Sequence, residues 1–156
     1  MIFWIASYPK SGNTYIRSFL ASYYFSKKGK FDFKLLMNIL QFPSIRFSKK
    51  DFLSFNDAAK NWIPNQNFFF KKTKLSFLKT HNSLNKFNNL EFTTDNETVG
   101  AIYIVRDPRN VITSILNYYL KKNYEEAKEF LFDEGKIIGV DLSKKNEYEN
   151  DNNIIT

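Results

Sequence analysis

The chain has 156 residues, enough for one domain with a real core, and its 43% hydrophobic and 18% aromatic content excludes wholesale disorder. A formal net charge of +7 points to an anionic partner without choosing among nucleic acid, acidic glycan and nucleotide, because charge attracts at long range and carries no chemical identity. The absence of cysteine excludes a disulfide framework, a thiolate nucleophile and cysteine-ligated zinc, which fits a protein of the reducing cytoplasm.

In chain order, the run Ile2-Phe3-Trp4-Ile5-Ala6 follows Met1 with no basic leader. It is far shorter than the ~18 apolar residues of a membrane helix, as is every later apolar stretch, so no membrane span is expected. It predicts a buried first strand over residues 2–8, then Pro9, a tight loop over Lys10-Ser11-Gly12-Asn13, and a helix from Thr14 to Tyr24. From Phe31 to Ile63 the pattern is helical but patchy, with Pro43 and Pro64 as breaks and Asp51 opening a short helix before Phe52-Leu53. Leu75 to Thr80 predicts a second strand, and the Asn-rich piece from Asn82 to Thr98 a loop with at most a turn of helix. Val99 to Val105 is the cleanest strand, uncharged throughout as burial on both faces requires. Asp107-Pro108 then sets a capping carboxylate before a proline at the first helical position. Val111, Ile112, Ile115, Leu116, Tyr119 and Leu120 continue a helix to about Lys122. An amphipathic segment over Tyr124 to Phe132 precedes Gly135, Gly139 and a polar tail over residues 143–156. There is no internal repeat, and the expected organisation is a single α/β domain.

Three constellations carry chemistry. The first is Tyr8-Pro9-Lys10-Ser11-Gly12-Asn13-Thr14-Tyr15 between strand and helix. Glycine lets the backbone approach an anion, the first helical amides offer the positive end of the helix dipole, and Lys10 adds a cation. The triphosphate loop of nucleotide triphosphatases needs a second glycine directly before Lys-Ser/Thr, which is missing. Taken alone, such a turn is equally an ordinary surface loop. The second is Arg106-Asp107-Pro108-Arg109-Asn110-Val111-Ile112-Thr113-Ser114. An arginine leaving a strand at its carboxyl end suits an open α/β sheet, where ligands gather at that edge, and its bland alternative is an ion pair with a carboxylate. The third is Leu78-Lys79-Thr80-His81, which holds the single histidine of the chain. Imidazole titrates near working pH and suits a general base, although a lone histidine is more often structural.

Together and in this order, the three segments resemble those of the sulfotransferases that use 3′-phosphoadenosine 5′-phosphosulfate (PAPS). The first resembles the family loop Tyr-Pro-Lys-Ser-Gly-Thr-Thr-Trp, with Asn13 and Tyr15 as departures. The second resembles the 3′-phosphate motif with its eight-residue step from Arg to Ser, and the third the Lys-Thr-His segment. The resemblance implies a P-loop-like three-layer α/β fold with a central parallel sheet flanked by helices. It implies PAPS as sulfuryl donor without a metal, and an unidentified hydroxyl- or amine-bearing acceptor. Carried over by position, Lys10 contacts the phosphosulfate, Ser11, Gly12, Asn13 and Thr14 hold the 5′-phosphate, and Tyr15 stacks on adenine. Arg106 and Ser114 bind the 3′-phosphate, His81 takes the acceptor proton, and Lys79 assists near the transferred group.

The resemblance runs to about residue 122. No glycine-rich Arg-Lys-Gly segment follows, and Lys144-Lys145-Asn146 has no glycine, so the sequence reads as C-terminally incomplete. A P-loop kinase-like phosphotransferase stays open as an alternative, as does a non-catalytic nucleotide- or nucleic-acid-binding module suggested by the charge and by Phe68-Phe69-Phe70-Lys71-Lys72. In the favoured reading those phenylalanines are core, the lysines are a solvated face, and no nucleic acid is expected.

Overall fold

The structure is a computed structural model, and it describes residues 1–47 and 54–133. The helix start at Asp51, Gly135, Gly139, Lys144 to Asn146 and the tail over 143–156 lie outside the described residues. The chain divides into two compact units, Met1–Ile104 and Val105–Thr156.

The first unit is built on four parallel strands: β1 (Ile2–Ser7), β2 (Leu40–Gln41), β3 (Ser76–Thr80) and β4 (Thr98–Ile104), in the order β2-β3-β1-β4. Side chains alternate across a strand, so β1 feeds two cores. Ile2 and Trp4 point to one with Leu78, Phe42, Trp62, Phe70 and Phe92, against α2 (Phe55–Lys60) and α3 (Trp62–Phe70). Ile5 points to the other with Ala21, Leu36 and Ile39, against α1 (Asn13–Phe25) and the 3₁₀ segment Phe33–Asn38. Helices therefore cover both faces of the parallel sheet, the expected three-layer α/β, P-loop-like arrangement. On the first side Gln66 donates to the Phe92 carbonyl oxygen (2.6 Å) and accepts from Thr93 (2.7 Å), tying the 82–97 loop into the core.

Several sequence expectations change. The sequence predicts that Val99 to Val105 is buried on both faces, but among the described residues β4 is the last strand of the sheet, and Val99 and Tyr103 are 56% and 67% exposed. The doubly covered strand is β1, which is central in the sheet and sends Ile2 and Trp4 into one core and Ile5 into the other. Pro64 does not break a helix; it occupies the first turn of α3, where a missing N–H costs no intrahelical bond. Between the 3₁₀ segment and the cis Phe42-Pro43 bond lies β2, which the patchy helical pattern concealed. Phe70 is buried as expected, whereas Phe68 is 57% exposed.

The second unit contains α4 (Pro108–Tyr118) and α5 (Tyr124–Phe132). Asp107 caps α4 as its sequence predicts, accepting from the Arg109 amide at 2.9 Å with Pro108 at the first position. The helix stops before Lys122 because Leu120 adopts a left-handed φ of 50° and the Lys121 amide turns back to the Leu116 carbonyl. Tyr119 and Phe130 stack with centroids 4.6 Å apart, fixing α5 on α4.

Candidate functional site

Parallel pairing brings the carboxyl ends of β1 and β3 to one edge, with Ala6 opposite Thr80, so that Ser7 and His81 leave the sheet side by side. This is the edge at which open α/β sheets hold ligands. After Ser7 the chain turns tightly, with Lys10 and Gly12 both left-handed (φ 67° and 97°), and enters α1 with Gly12 as its cap. A Cβ placed on Gly12 would meet nothing within 4 Å, so the loop opens outward at that point. The first amides of α1 precede the first intrahelical bond, which leaves them as donors of the kind an anion binds at a helix start. A left-handed lysine is a strained conformation, of the kind that accumulates at ligand-binding loops.

The face that α1 turns inward carries two polar side chains beside its apolar ones. Asn13, Arg17 and Ala21 are buried at helical spacing, while Tyr15, Phe19 and Tyr23 are exposed. Asn13 Nδ2 donates to the Ile5 carbonyl oxygen (2.9 Å) and to Ser7 Oγ (3.1 Å). Arg17 Nη2 donates to the carbonyl oxygens of Ile39 (2.7 Å) and Leu36 (3.3 Å), stitching the helix to the segment that leads into β2. Sequence reasoning missed Ser7 and Arg17. For Arg17 a signal existed, a cation four residues after Asn13 and four before Ala21 on the side that should face the sheet.

His81 Nδ1 lies 2.7 Å from the Ser7 carbonyl oxygen and 3.2 Å from Ser7 Oγ. A carbonyl oxygen only accepts, so Nδ1 carries the proton and Nε2 carries the lone pair. This assignment follows from the bonding pattern. Burial pushes the imidazole below its ordinary value, with Lys79 and Arg17 adding repulsion and the bond to Ser7 opposing them. Lys79 is 5% exposed, and its pKa falls to about 8 through burial first, then the nearby charges of Arg17 and Lys10. Lys10, Lys79 and Arg17 thus concentrate positive charge beside the histidine.

The structure gathers Lys10, Ser11, Gly12, Asn13, Thr14, Lys79 and His81 at the carboxyl edge of the first unit. The Asn13 side chain turns inward, so only its backbone amide faces outward at the helix start. Tyr15 is 76% exposed on the first turn of α1. A separate open cleft of about 460 Å³ lies at the opposite end of β1, lined in part by Met1, Gln66, Lys71 and Glu97, and takes in none of these residues.

Arg106 and Ser114 belong to the second unit. Arg106 is exposed two residues beyond the end of β4, and Ser114 is half-buried on α4. Arg109 clasps Asp107, with Nη2 2.6 Å from Oδ2 and Nε 3.0 Å from Oδ1. That pair holds the Asp107 carboxyl at about 2, chiefly through the Arg109 side-chain hydrogen bond. The carboxylate two residues from Arg109 is therefore already engaged by it.

The family model described as Sulfotransferase domain matches residues 2–149. The chain belongs to this family. The match spans both units of the sulfotransferase chain and includes all three segments singled out in the sequence. No curated protein and no solved structure matches it. Among the described residues of the sulfotransferase, no helix is long and apolar enough to cross a membrane, and no three His, Asp or Glu side chains are grouped to hold a metal ion.

Proposed function

We propose that the chain binds PAPS and transfers its sulfuryl group to a hydroxyl or amine acceptor, with His81 as general base. The observation that carries this reading is the His81 geometry: Nδ1 is tied to Ser7, which leaves the Nε2 lone pair to take a proton, beside a loop and two lysines suited to an anionic donor. The donor supplies an electrophilic sulfur and a phosphate leaving group. The residues present fit such a group, since the outward-opening turn at Gly12, the α1 amides and Lys10 form a preorganised set of donors.

In the proposed reaction the loop amides and the hydroxyls of Ser11 and Thr14 hold the 5′-phosphate, and Lys10 stabilises the charge that builds as the sulfur–oxygen bond breaks. Lys79, its pKa lowered to about 8 chiefly by burial, places a cation and hydrogen-bond donor beside the transferred group. His81 Nε2 takes the acceptor proton while Nδ1–H gains strength against the Ser7 oxygens as the ring becomes positive. Arg106 and Ser114 hold the 3′-phosphate, for which a guanidinium offers two parallel hydrogen bonds. Tyr15, exposed at the start of α1, is assigned the adenine.

Calorimetric titration with adenosine 3′,5′-bisphosphate and with AMP tests the reading without an acceptor. Saturable binding of the bisphosphate at least tenfold tighter than AMP, retained as salt rises, is expected. Equal and salt-sensitive binding of both would favour a charge-driven binding module and overturn the assignment.

A further inference from the structure

Asn13 presents a buried contradiction that the binding reading does not use. It stands where the related loop has threonine, its side chain is 5% exposed, and its Oδ1 is buried without a hydrogen-bond partner. The amide cannot be rotated to relieve this, because the atom facing the Ile5 carbonyl oxygen at 2.9 Å must be a donor. A buried acceptor that has given up water without gaining a partner destabilises the fold. The chain carries that cost while the Nδ2 group serves two acceptors at once, Ile5 O and Ser7 Oγ, and Ser7 in turn offers both its oxygens to His81 Nδ1.

We propose that Asn13 is a positioning residue for His81, acting through Ser7: its carboxamide pins the last turn of β1 so that the Ser7 oxygens face the Nδ1 proton and Nε2 keeps the lone pair. The inference rests on the reading of His81 as the base. Geometry assigns the division of labour. The bond to Ile5 O fixes the backbone one peptide before Ser7, and the bond to Ser7 Oγ occupies one lone pair of that hydroxyl and orients it. Ser7 Oγ cannot donate to Nδ1, which already carries a proton for the carbonyl, so it accepts a share of the same N–H. A threonine at this position has one donor and can serve only one of the two oxygens. Asn13 is also the first residue of α1, so the same side chain links the anion loop to the base. It touches neither substrate nor donor through its side chain in this role.

The chain has one histidine, so its imidazole nitrogens can be read without assignment ambiguity. Long-range ¹H–¹⁵N correlation spectra at a pH where the ring is neutral report the tautomer directly. The wild-type protein is expected to show a protonated Nδ1 and an unprotonated Nε2. In Asn13→Ala the two ¹⁵N shifts should move toward each other as the other tautomer becomes populated, in Asn13→Thr part of the way, and in Ser7→Ala less than in Asn13→Ala because the Ser7 carbonyl remains. Asn13→Thr and Ser7→Ala keep the test open should Asn13→Ala not fold. Wild-type ¹⁵N shifts in folded Asn13 variants would overturn the positioning role and leave the base reading standing. A wild-type ring protonated at Nε2 would overturn the base reading and this proposal with it.

Discussion

At the carboxyl edge of β1 and β3 the candidate side chains Asn13, Arg17 and Lys79 are buried, and Arg17 and His81 are held by groups distant in sequence, whereas at the start of α4 Arg106 and Arg109 are exposed and Arg109 is held locally. Arg17 reaches carbonyl oxygens 19 and 22 residues away, and His81 bonds Ser7 across 74 residues. Arg109, by contrast, is fixed by Asp107 two residues before it. The first arrangement sets geometry before any ligand arrives, at a cost in stability, because cations are removed from water. The second costs little and leaves an arginine-rich helix start in solvent. The two regions should therefore answer mutation in different currencies, the first in stability and proton affinity, the second in nucleotide selectivity.

The largest difference is expected for the two arginines. Arg17→Ala leaves the Leu36 and Ile39 carbonyl oxygens without their donor in a buried place, and urea denaturation should show a loss of about 3–5 kcal/mol. Arg109→Ala, which removes an exposed ion pair, should leave the denaturation midpoint within error. Comparable losses for the two would break the comparison.

Lys79 should respond in the opposite direction. A pKa lowered from 10.5 to about 8 means that burial, with repulsion from Arg17 and Lys10, disfavours the charged form by about 3 kcal/mol. The unfolded chain binds more protons than the folded one between those values, so wild-type stability rises as pH climbs from about 8 towards 10.5 and the full penalty is present below 8. Lys79→Met should accordingly be more stable than wild type by about 1–3 kcal/mol at pH 7, with the gain vanishing above pH 10. A variant less stable than wild type at pH 7 would show that the charge stabilises the fold. A smaller effect is expected at Gly12, where φ is 97° and space is open. Gly12→Ala should cost about 1–2 kcal/mol through backbone strain alone, visible as a lower Tm.

Much of this fold was legible because β1, β3, α1, α4 and α5 each carry a local signal: an apolar run, a glycine loop, an Asp-Pro cap. What was not legible depended on neighbours. The uncharged run Val99 to Ile104 has the composition of a buried strand, and nothing in that composition shows that it stands last among the described strands with Val99 and Tyr103 exposed. Leu40–Gln41 is too short to show a period and exists as a strand because it pairs with Leu78 and Lys79. In the site, the loop position of Lys10 and the strand-end positions of Lys79 and His81 could be read from sequence. The inward turn of Asn13 could not, since its partners Ile5 and Ser7 become its neighbours only when the loop folds back on β1. Ser7 was hidden for the same reason.

The central claim is that the anion loop grips what all adenine nucleotides share while Arg106 reads the 3′-phosphate. It is tested most directly by titrating adenosine 3′,5′-bisphosphate and AMP into wild-type, Lys10→Ala and Arg106→Ala proteins. Lys10→Ala should weaken both nucleotides by a similar factor. Arg106→Ala should weaken the bisphosphate about 10- to 100-fold, the loss of a charge-assisted pair, and leave AMP unchanged, erasing the preference. An Arg106→Ala protein that keeps its preference for the bisphosphate would contradict the account.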